Sequence, residues 1–170
     1  MTGRALTEAF DRQYARLHLR SRSLISKTPS ELLYRKVGLA TAPAVYSLGE
    51  NVLRSAAAVE QTFGGITANL WDDPFEWTLP ENLASTERVI EYLEEVEATR
   101  LRAFARFSLD SDLLKEVQVP AGALRPLIDL LAETLVKAAD YQGRAIATLA
   151  VLAGDAAAKA SERITDVQFK

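Results

Sequence analysis

The histidines and cysteines of this chain limit the chemistry that it can support. Among its 170 residues there is one histidine, His18, and there is no cysteine. Disulfides, thiolate zinc sites, iron–sulfur clusters and cysteine nucleophiles are therefore excluded. One histidine beside the apolar stripe of the first predicted helix does not make a serine–histidine–aspartate triad. We expect it at the core boundary with its ring half exposed.

Four carboxylates are nearest to the predicted centre of the fold: Glu60, Glu97, Glu133 and Asp140. An all-oxygen metal site would need several of them to converge. Di-metal helical bundles use Glu-x-x-His motifs, and this sequence contains none. Glu97 interrupts an apolar stripe, which predicts an ion pair with a neighbouring arginine or lysine. We therefore predict no metal, with a carboxylate-bound divalent metal as an alternative.

Charge and hydropathy argue against two classes of partner. The formal net charge is -3, whereas nucleic-acid-binding domains are usually basic. The cluster of Arg16, Arg20, Arg22 and Lys27 is interpreted as a solvated helix face because no aromatic residues interleave with it for base stacking. No run of about 18 apolar residues and no signal-peptide pattern occurs. We expect a cytoplasmic protein without a nucleic-acid or membrane partner.

Helical periodicity dominates the rest of the sequence. Apolar residues recur at steps of three and four over about 6–26, over about 48–70 after a Ser47-x-x-Glu50 capping box, after a Ser85 cap, and over about 123–153. Gly154 is interpreted as the stop of the fourth helix. Ser55 and Glu97 are the polar members of two otherwise apolar stripes.

These elements predict an all-α fold, a four-helix bundle. Two long connections, residues 71–84 and 108–121, separate the helices, and no strand pattern is evident. The expected organisation is one bundle domain over residues 1–154. A C-terminal tail, residues 155–170, then packs on the bundle or extends from it.

Several strings resemble the DinB-like family, also called the DinB/YfiT-like putative metalloenzymes, over about residues 4–153. They are PSEL at 29–32, YSLGENVL at 46–53, VE at 59–60, PFEWTLP at 74–80, YLEEV at 92–96 and DYQGRAI at 140–146. The resemblance implies up-down-down-up topology with a long connection between the second and third helices. It also implies a bacterial-type protein that forms a homodimer.

Many members of that family hold a divalent metal with three histidines, one on the second helix and two that are four residues apart on the fourth. Matching the strings places these ligands at Ser55, Lys137 and Tyr141. None of the three is histidine, and His18 alone cannot replace them. The resemblance therefore implies the fold of the family, but this sequence lacks the histidines of the family's three-histidine site.

Two functions remain open. The preferred one is a domain without metal or cofactor that binds a small ligand or acts as an interaction module. Its predicted pocket is formed by Ser55, Lys137, Tyr141, Glu97 and Trp77. The alternative is a transferase- or hydrolase-type enzyme that uses Tyr141 and a partly desolvated Lys137, or a carboxylate-bound metal. Against the pocket, Ser55 and Tyr141 are equally interpretable as core residues and Lys137 as a solvated one. Trp71 and Trp77 are interpreted as plugs of the bundle end, or as a lid.

Overall fold

The computed structural model describes residues 3–37, 46–74 and 80–167, with the backbone alone over 155–167. Within these residues the fold is all-α apart from one small hairpin, which confirms the all-α part of the predicted fold class. The helices are α1 Ala5–Ser26, α2 Ser30–Leu33, α3 Leu48–Ala68, α4 Thr86–Phe104 and α5 Leu127–Val167, and the strands are β1 Glu116–Gln118 and β2 Leu124–Pro126. No helix in the described ranges is both long and apolar enough to cross a membrane.

Two predicted serine caps set the starts of α3 and α4. Ser47 Oγ accepts a hydrogen bond from Glu50 N at 3.2 Å, while Glu50 Oε2 accepts one from Ser47 N at 2.7 Å. Ser85 Oγ accepts from Arg88 N at 3.3 Å. Such contacts satisfy amides that the first helical turn leaves without an intrahelical partner. The predicted capping box and the Ser85 cap are both confirmed.

The four long helices share one apolar core. α3 packs against α4 and α5, and α1 packs against the same two helices. An aromatic cluster lies between them: the Tyr14 and Phe63 rings meet edge to face at 5.1 Å, and Phe63 and Phe104 lie 5.5 Å apart. Edge-to-face rings add to the stability that their burial provides. The cluster fixes the spacing of α1, α3 and α4 around the polar side chains described below.

The connection before α5 contains structure that the sequence pattern did not indicate. A 3-10 turn, Asp110–Leu114, precedes an antiparallel hairpin in which Glu116 pairs with Pro126 and Gln118 with Leu124. Gly122 turns the hairpin with φ of 79°, a conformation that glycine adopts without strain. Each strand has only three residues, which is too short for an alternating pattern to be recognised.

The limits of the last helix also differ from the prediction. α5 begins at Leu127 rather than near residue 123, because residues 124–126 belong to β2. It continues through Gly154 to Val167, so the predicted stop at Gly154 is wrong. An interior glycine costs a helix about 1 kcal/mol relative to alanine, and the alanine-rich sequence around it offsets that cost. The described part of the predicted tail is therefore an extension of α5.

The first helix is capped from a distance. Asp110 Oδ1 accepts hydrogen bonds from Thr7 N at 2.9 Å and from Thr7 Oγ1 at 3.1 Å. The bond from the Thr7 amide lowers the pKa of Asp110, although its burial acts in the opposite direction. The connection that carries the hairpin is thereby held against the start of α1.

Candidate functional site

Ser55 lies inside the core, away from the other two residues matched to metal ligands. Its side chain is buried, and Oγ donates to the carbonyl of Ala138 on α5 at 2.9 Å. This geometry agrees with its interpretation as a small core residue bonded to the backbone. Ser55 borders a cavity of about 20 Å³ together with Glu97 and Arg100. That volume suits one water molecule.

The polar wall of this core cavity is an ion-pair cluster. Arg100, only 2% exposed, donates from Nε and Nη2 to the two carboxylate oxygens of Glu97 at 2.7 and 2.6 Å. Its Nη1 donates to Asp11 on α1. Burial lowers the pKa of Arg100, but the bonds from Glu97 and Asp11 outweigh burial and leave that pKa raised. The predicted ion pair of Glu97 is confirmed, and Arg100 and Asp11 are members that the sequence did not reveal.

Tyr14 and His18 also border the core cavity. Tyr14 donates its phenol to the carbonyl of Leu131 at 2.7 Å, and burial raises its pKa, so it stays neutral. The His18 side chain is 13% exposed, with Nε2 at 3.7 Å from Glu94 Oε2, and it is more covered than predicted. Arg22 Nε shares the same carboxylate at 2.9 Å. These contacts join α1 to α4 and α5, so the cavity wall serves packing.

Lys137 and Tyr141 lie elsewhere, in a shallow surface cleft between α3 and α5 whose volume is also about 20 Å³. Arg54 of α3 completes the cationic part of this cleft, and Gln61 and Asp73 border it as well. Lys137 is exposed and Tyr141 half-buried. The predicted desolvation of Lys137 is therefore wrong, because its position on α5 points away from the buried stripe of Leu131, Thr134 and Ala138. We call the group of Arg54, Gln61, Asp73, Lys137 and Tyr141 the α3–α5 cleft.

The predicted five-residue pocket thus divides into separate parts. Ser55 and Glu97 border the core cavity, Lys137 and Tyr141 line the α3–α5 cleft, and Trp77 lies outside the described residues. The physical reason is angular: adjacent helical residues point about 100° apart, so Ser55 faces the core while Arg54 faces the cleft. The residue that accompanies Lys137 and Tyr141 is the neighbour of the one predicted.

Aromatic contacts hold two arginines, Arg54 within the cleft and Arg144 next to the cleft residue Tyr141. The Arg54 guanidinium lies 3.9 Å from the centre of the Tyr46 ring, and the Arg144 guanidinium lies 5.5 Å from that of Tyr141. Stacking on Tyr46 restricts the plane of the half-buried Arg54 guanidinium. Arg54 was not predicted as a site residue. Its place directly before Ser55, the polar member of an apolar stripe, is the sequence signal that could have indicated it.

The four carboxylates considered for a metal do not converge. Glu97 pairs with Arg100, Glu133 with Arg125 at 2.8 Å and Asp140 with Arg144 at 2.6 Å. Glu60 Oε2 accepts from Tyr92 OH at 2.5 Å. Burial raises the pKa of Glu60, partly opposed by that hydrogen bond. In the part of the chain that the structure describes, no three potential metal-ligating side chains form a group.

Trp71 packs on the end of α3 rather than over the cleft cations. A Cβ placed on Gly65 would lie 2.4 Å from its indole ring, so only glycine permits this contact. Trp71 O accepts from Gln61 Nε2 at 2.8 Å, and its indole Nε1 donates to Asn69 Oδ1 at 3.1 Å. The Gly64–Gly65 pair therefore has a packing reason.

No family model, curated protein or solved structure matches this chain. The DinB-like resemblance accordingly stays a prediction that rests on the sequence strings.

Proposed function

We propose that this chain is a DinB-like domain that binds a small anionic ligand in the α3–α5 cleft and has no three-histidine metal site. The observation that carries the proposal is the convergence of Arg54, Lys137 and Tyr141 on one cleft. It replaces the predicted pocket, from which only Lys137 and Tyr141 are retained.

The proposed architecture is a four-helix bundle of up-down-down-up topology. Contacts along the helices support it through their order. Between α1 and α5, successive contacts involve rising residue numbers on both helices, so these two helices are parallel. Between α3 and α5, and between α1 and α4, residue numbers rise on one helix and fall on the other, so these pairs are antiparallel. The contacts are Tyr14–Leu131 and Leu17–Gln142, then Ser55–Ala138 and Thr62–Thr134, then Asp11–Arg100 and His18–Glu94.

The chemistry of the cleft favours an anionic oxygen group. A guanidinium, an ammonium and a phenol are hydrogen-bond donors, and charge-assisted bonds to carboxylate or phosphate are the strongest that they form. Asp73 borders the same cleft and reduces its positive charge. An anion would therefore compete with Asp73 for the two cations, and a ligand that also carries an ammonium would use Asp73.

Binding suits the cleft better than proton transfer does. The enzyme alternative requires Lys137 to be partly desolvated, and Lys137 is exposed. A solvated ammonium retains its full hydration and serves as a charged contact. Tyr141 and Lys137 remain the residues that a metal-free reaction would use, so they are also the residues to test.

Two measurements test the proposal on the purified full chain. Elemental analysis is expected to find no stoichiometric zinc, nickel or iron, and one equivalent of any of them would contradict it. Amide chemical shifts are then followed during titration with inorganic phosphate and with succinate. Saturable changes should centre on Arg54, Lys137 and Tyr141; changes scattered over the surface would contradict a defined site.

A further inference from the structure

A groove of about 580 Å³ lies between α1 and α5, and we call it the α1–α5 groove. Sites for small organic ligands typically have volumes of about 300 to 1,000 Å³. The apolar lining comes from both helices: Leu17 and Leu19 of α1, and Leu135, Val136 and Ala139 of α5. Two of these side chains are largely uncovered, since Leu19 is 61% exposed and Val136 is 70% exposed. The groove therefore offers apolar surface that an apolar ligand group would remove from water.

Two arginines give the α1–α5 groove a positive charge. Arg16 and Arg20 line it, and the lining that the structure describes includes no carboxylate. Both arginines are exposed, and neither takes part in an ion pair within the described ranges. They are four residues apart on α1, which is about 6 Å along the helix, so both guanidiniums can donate to one carboxylate. In a chain whose net charge is -3, this local excess of cations suits an anionic ligand.

Gln142 fixes the two walls of the groove relative to each other. Its side chain is fully buried, and Nε2 donates to Leu17 O at 2.6 Å and to Ser21 Oγ at 2.7 Å. These bonds join α5 to α1 at the groove, because Gln142 and Leu17 both belong to its lining. The groove is therefore formed before a ligand arrives, and a preformed site avoids the cost of ordering its walls on binding.

We propose that the α1–α5 groove binds one molecule of an amphipathic carboxylate, of the class of medium-chain fatty acids. The carboxylate accepts hydrogen bonds from Arg16 and Arg20, and the alkyl chain covers Leu19 and Val136. A concave site between two helices encloses a single molecule better than it fits a flat membrane surface. Neither arginine borders the α3–α5 cleft, so this proposal and the proposed function can fail separately.

Amide chemical shifts of the full chain test the proposal during titration with decanoate, kept below the concentration at which it forms micelles. Saturable changes should centre on Arg16, Arg20 and Val136. Acetate lacks the chain and decyltrimethylammonium reverses the charge, so both should bind about tenfold or more weakly than decanoate. Three results would overturn the proposal: no saturable change, equal affinity for the cationic amphiphile, or decanoate changes that centre on Lys137 and Tyr141.

A pair of double variants tests the role of the arginines. Arg16→Gln, Arg20→Gln should weaken decanoate binding about tenfold or more, because the carboxylate loses both charged donors. Arg88→Gln, Arg102→Gln removes the same charge from exposed positions of α4 and should bind decanoate as wild type does. Unchanged affinity in the first variant, or an equal loss in both, would overturn the proposal.

A second pair of variants tests the apolar wall. Val136→Asp places a carboxylate in the groove and should abolish saturable decanoate binding, because it removes apolar surface and repels the anion. Val151→Asp is the matched control, since Val151 is an exposed valine of the same helix, 50% exposed, and is not among the residues that line the groove. Both variants should keep the helical circular dichroism of wild type. Decanoate binding that survives Val136→Asp, or that Val151→Asp also abolishes, would overturn the proposal.

Sedimentation equilibrium identifies a competing occupant. The mass of the full chain should be the same with and without saturating decanoate, because the proposed occupant is the acid itself. Dissociation of an assembly by decanoate would show that another protein chain covers the groove, and would overturn the proposal.

Discussion

The core cavity and the α3–α5 cleft both contain polar side chains that α3 and its neighbours bring together, but the two regions differ in what those side chains already do. In the cavity, Arg100 is buried and bonded to Glu97, and in both regions the enclosed volume is only about 20 Å³. In the cleft, Lys137 is exposed and the Arg54 guanidinium stacks on the Tyr46 ring. The cavity therefore stabilises the fold, and the cleft is the region that exposes the cation of Lys137 to solvent.

This difference shows how polar residues on neighbouring helical positions divide their roles. Ser55 and Arg54 are adjacent, yet one bonds the backbone of α5 and the other faces the cleft. Substitutions at core positions should change stability and leave ligand binding alone. Substitutions in the cleft should do the reverse.

The largest effect is expected for Arg100→Met. It leaves the carboxylate of Glu97, only 15% exposed, without its cation. Removing one partner of a buried pair costs about 3 kcal/mol or more of the free energy of unfolding. Urea denaturation measures the loss. The double variant Arg100→Met, Glu97→Leu should recover most of it, because no buried charge remains; a double variant as unstable as the single one would contradict the role given to the pair.

A smaller effect is expected for Ser55→Ala. The substitution removes the hydrogen bond to the Ala138 carbonyl, worth about 1 kcal/mol of unfolding free energy. Chemical denaturation should register this loss while phosphate and succinate binding stays unchanged. Weakened binding with unaltered stability would show instead that Ser55 belongs to the ligand site.

The carboxylate of Asp110 gives a test of fold stability that depends on pH. Its pKa is lowered in the folded chain by the Thr7 amide, so its charge contributes stability above the unfolded pKa of about 3.9. That contribution is lost as pH falls through the folded pKa. Asp110→Asn should therefore lower Tm at pH 7, and the gap from wild type should close below about pH 3.9. A gap that is constant with pH would contradict the assignment.

The smallest effect on stability is expected in the cleft. Lys137→Met changes an exposed side chain, and such substitutions alter the free energy of unfolding by about 0.5 kcal/mol at most. Thermal and urea unfolding of the variant should match wild type. A loss comparable to that of Ser55→Ala would mean that Lys137 is structural.

The sequence predicted the helices well where local chemistry sets their limits. Ser47, Glu50 and Ser85 begin α3 and α4 as expected, since a cap is a contact between residues close in sequence. The predicted helix stop at Gly154 was wrong because the low helix propensity of one glycine is a weak signal within an alanine-rich helix. The hairpin at 116–126 was missed because its three-residue strands have too few positions to show a pattern.

The candidate site was predicted less well, and the reason is again angular. A difference of one residue along a helix rotates a side chain by about 100°. Arg54 therefore lines the cleft, whereas Ser55, which the prediction put in the pocket, faces the core. Gln142 was also missed, although it stands four residues after Ala138 and three before Ala145, on the stripe that is buried. Its position indicates burial, but glutamine is a polar residue that is not expected in an apolar core.

The most direct test of the account is a calorimetric titration of succinate and of phosphate into three proteins: wild type, Lys137→Met, and Arg12→Met as a charge-matched control. Arg12 is exposed and lies on α1, where its Nη1 is 4.0 Å from Glu8 Oε2. We predict saturable binding of at least one of the two anions to wild type and to Arg12→Met, and binding at least tenfold weaker to Lys137→Met. Equal affinity in all three proteins, or no saturable binding to wild type, would contradict an anion site in the α3–α5 cleft.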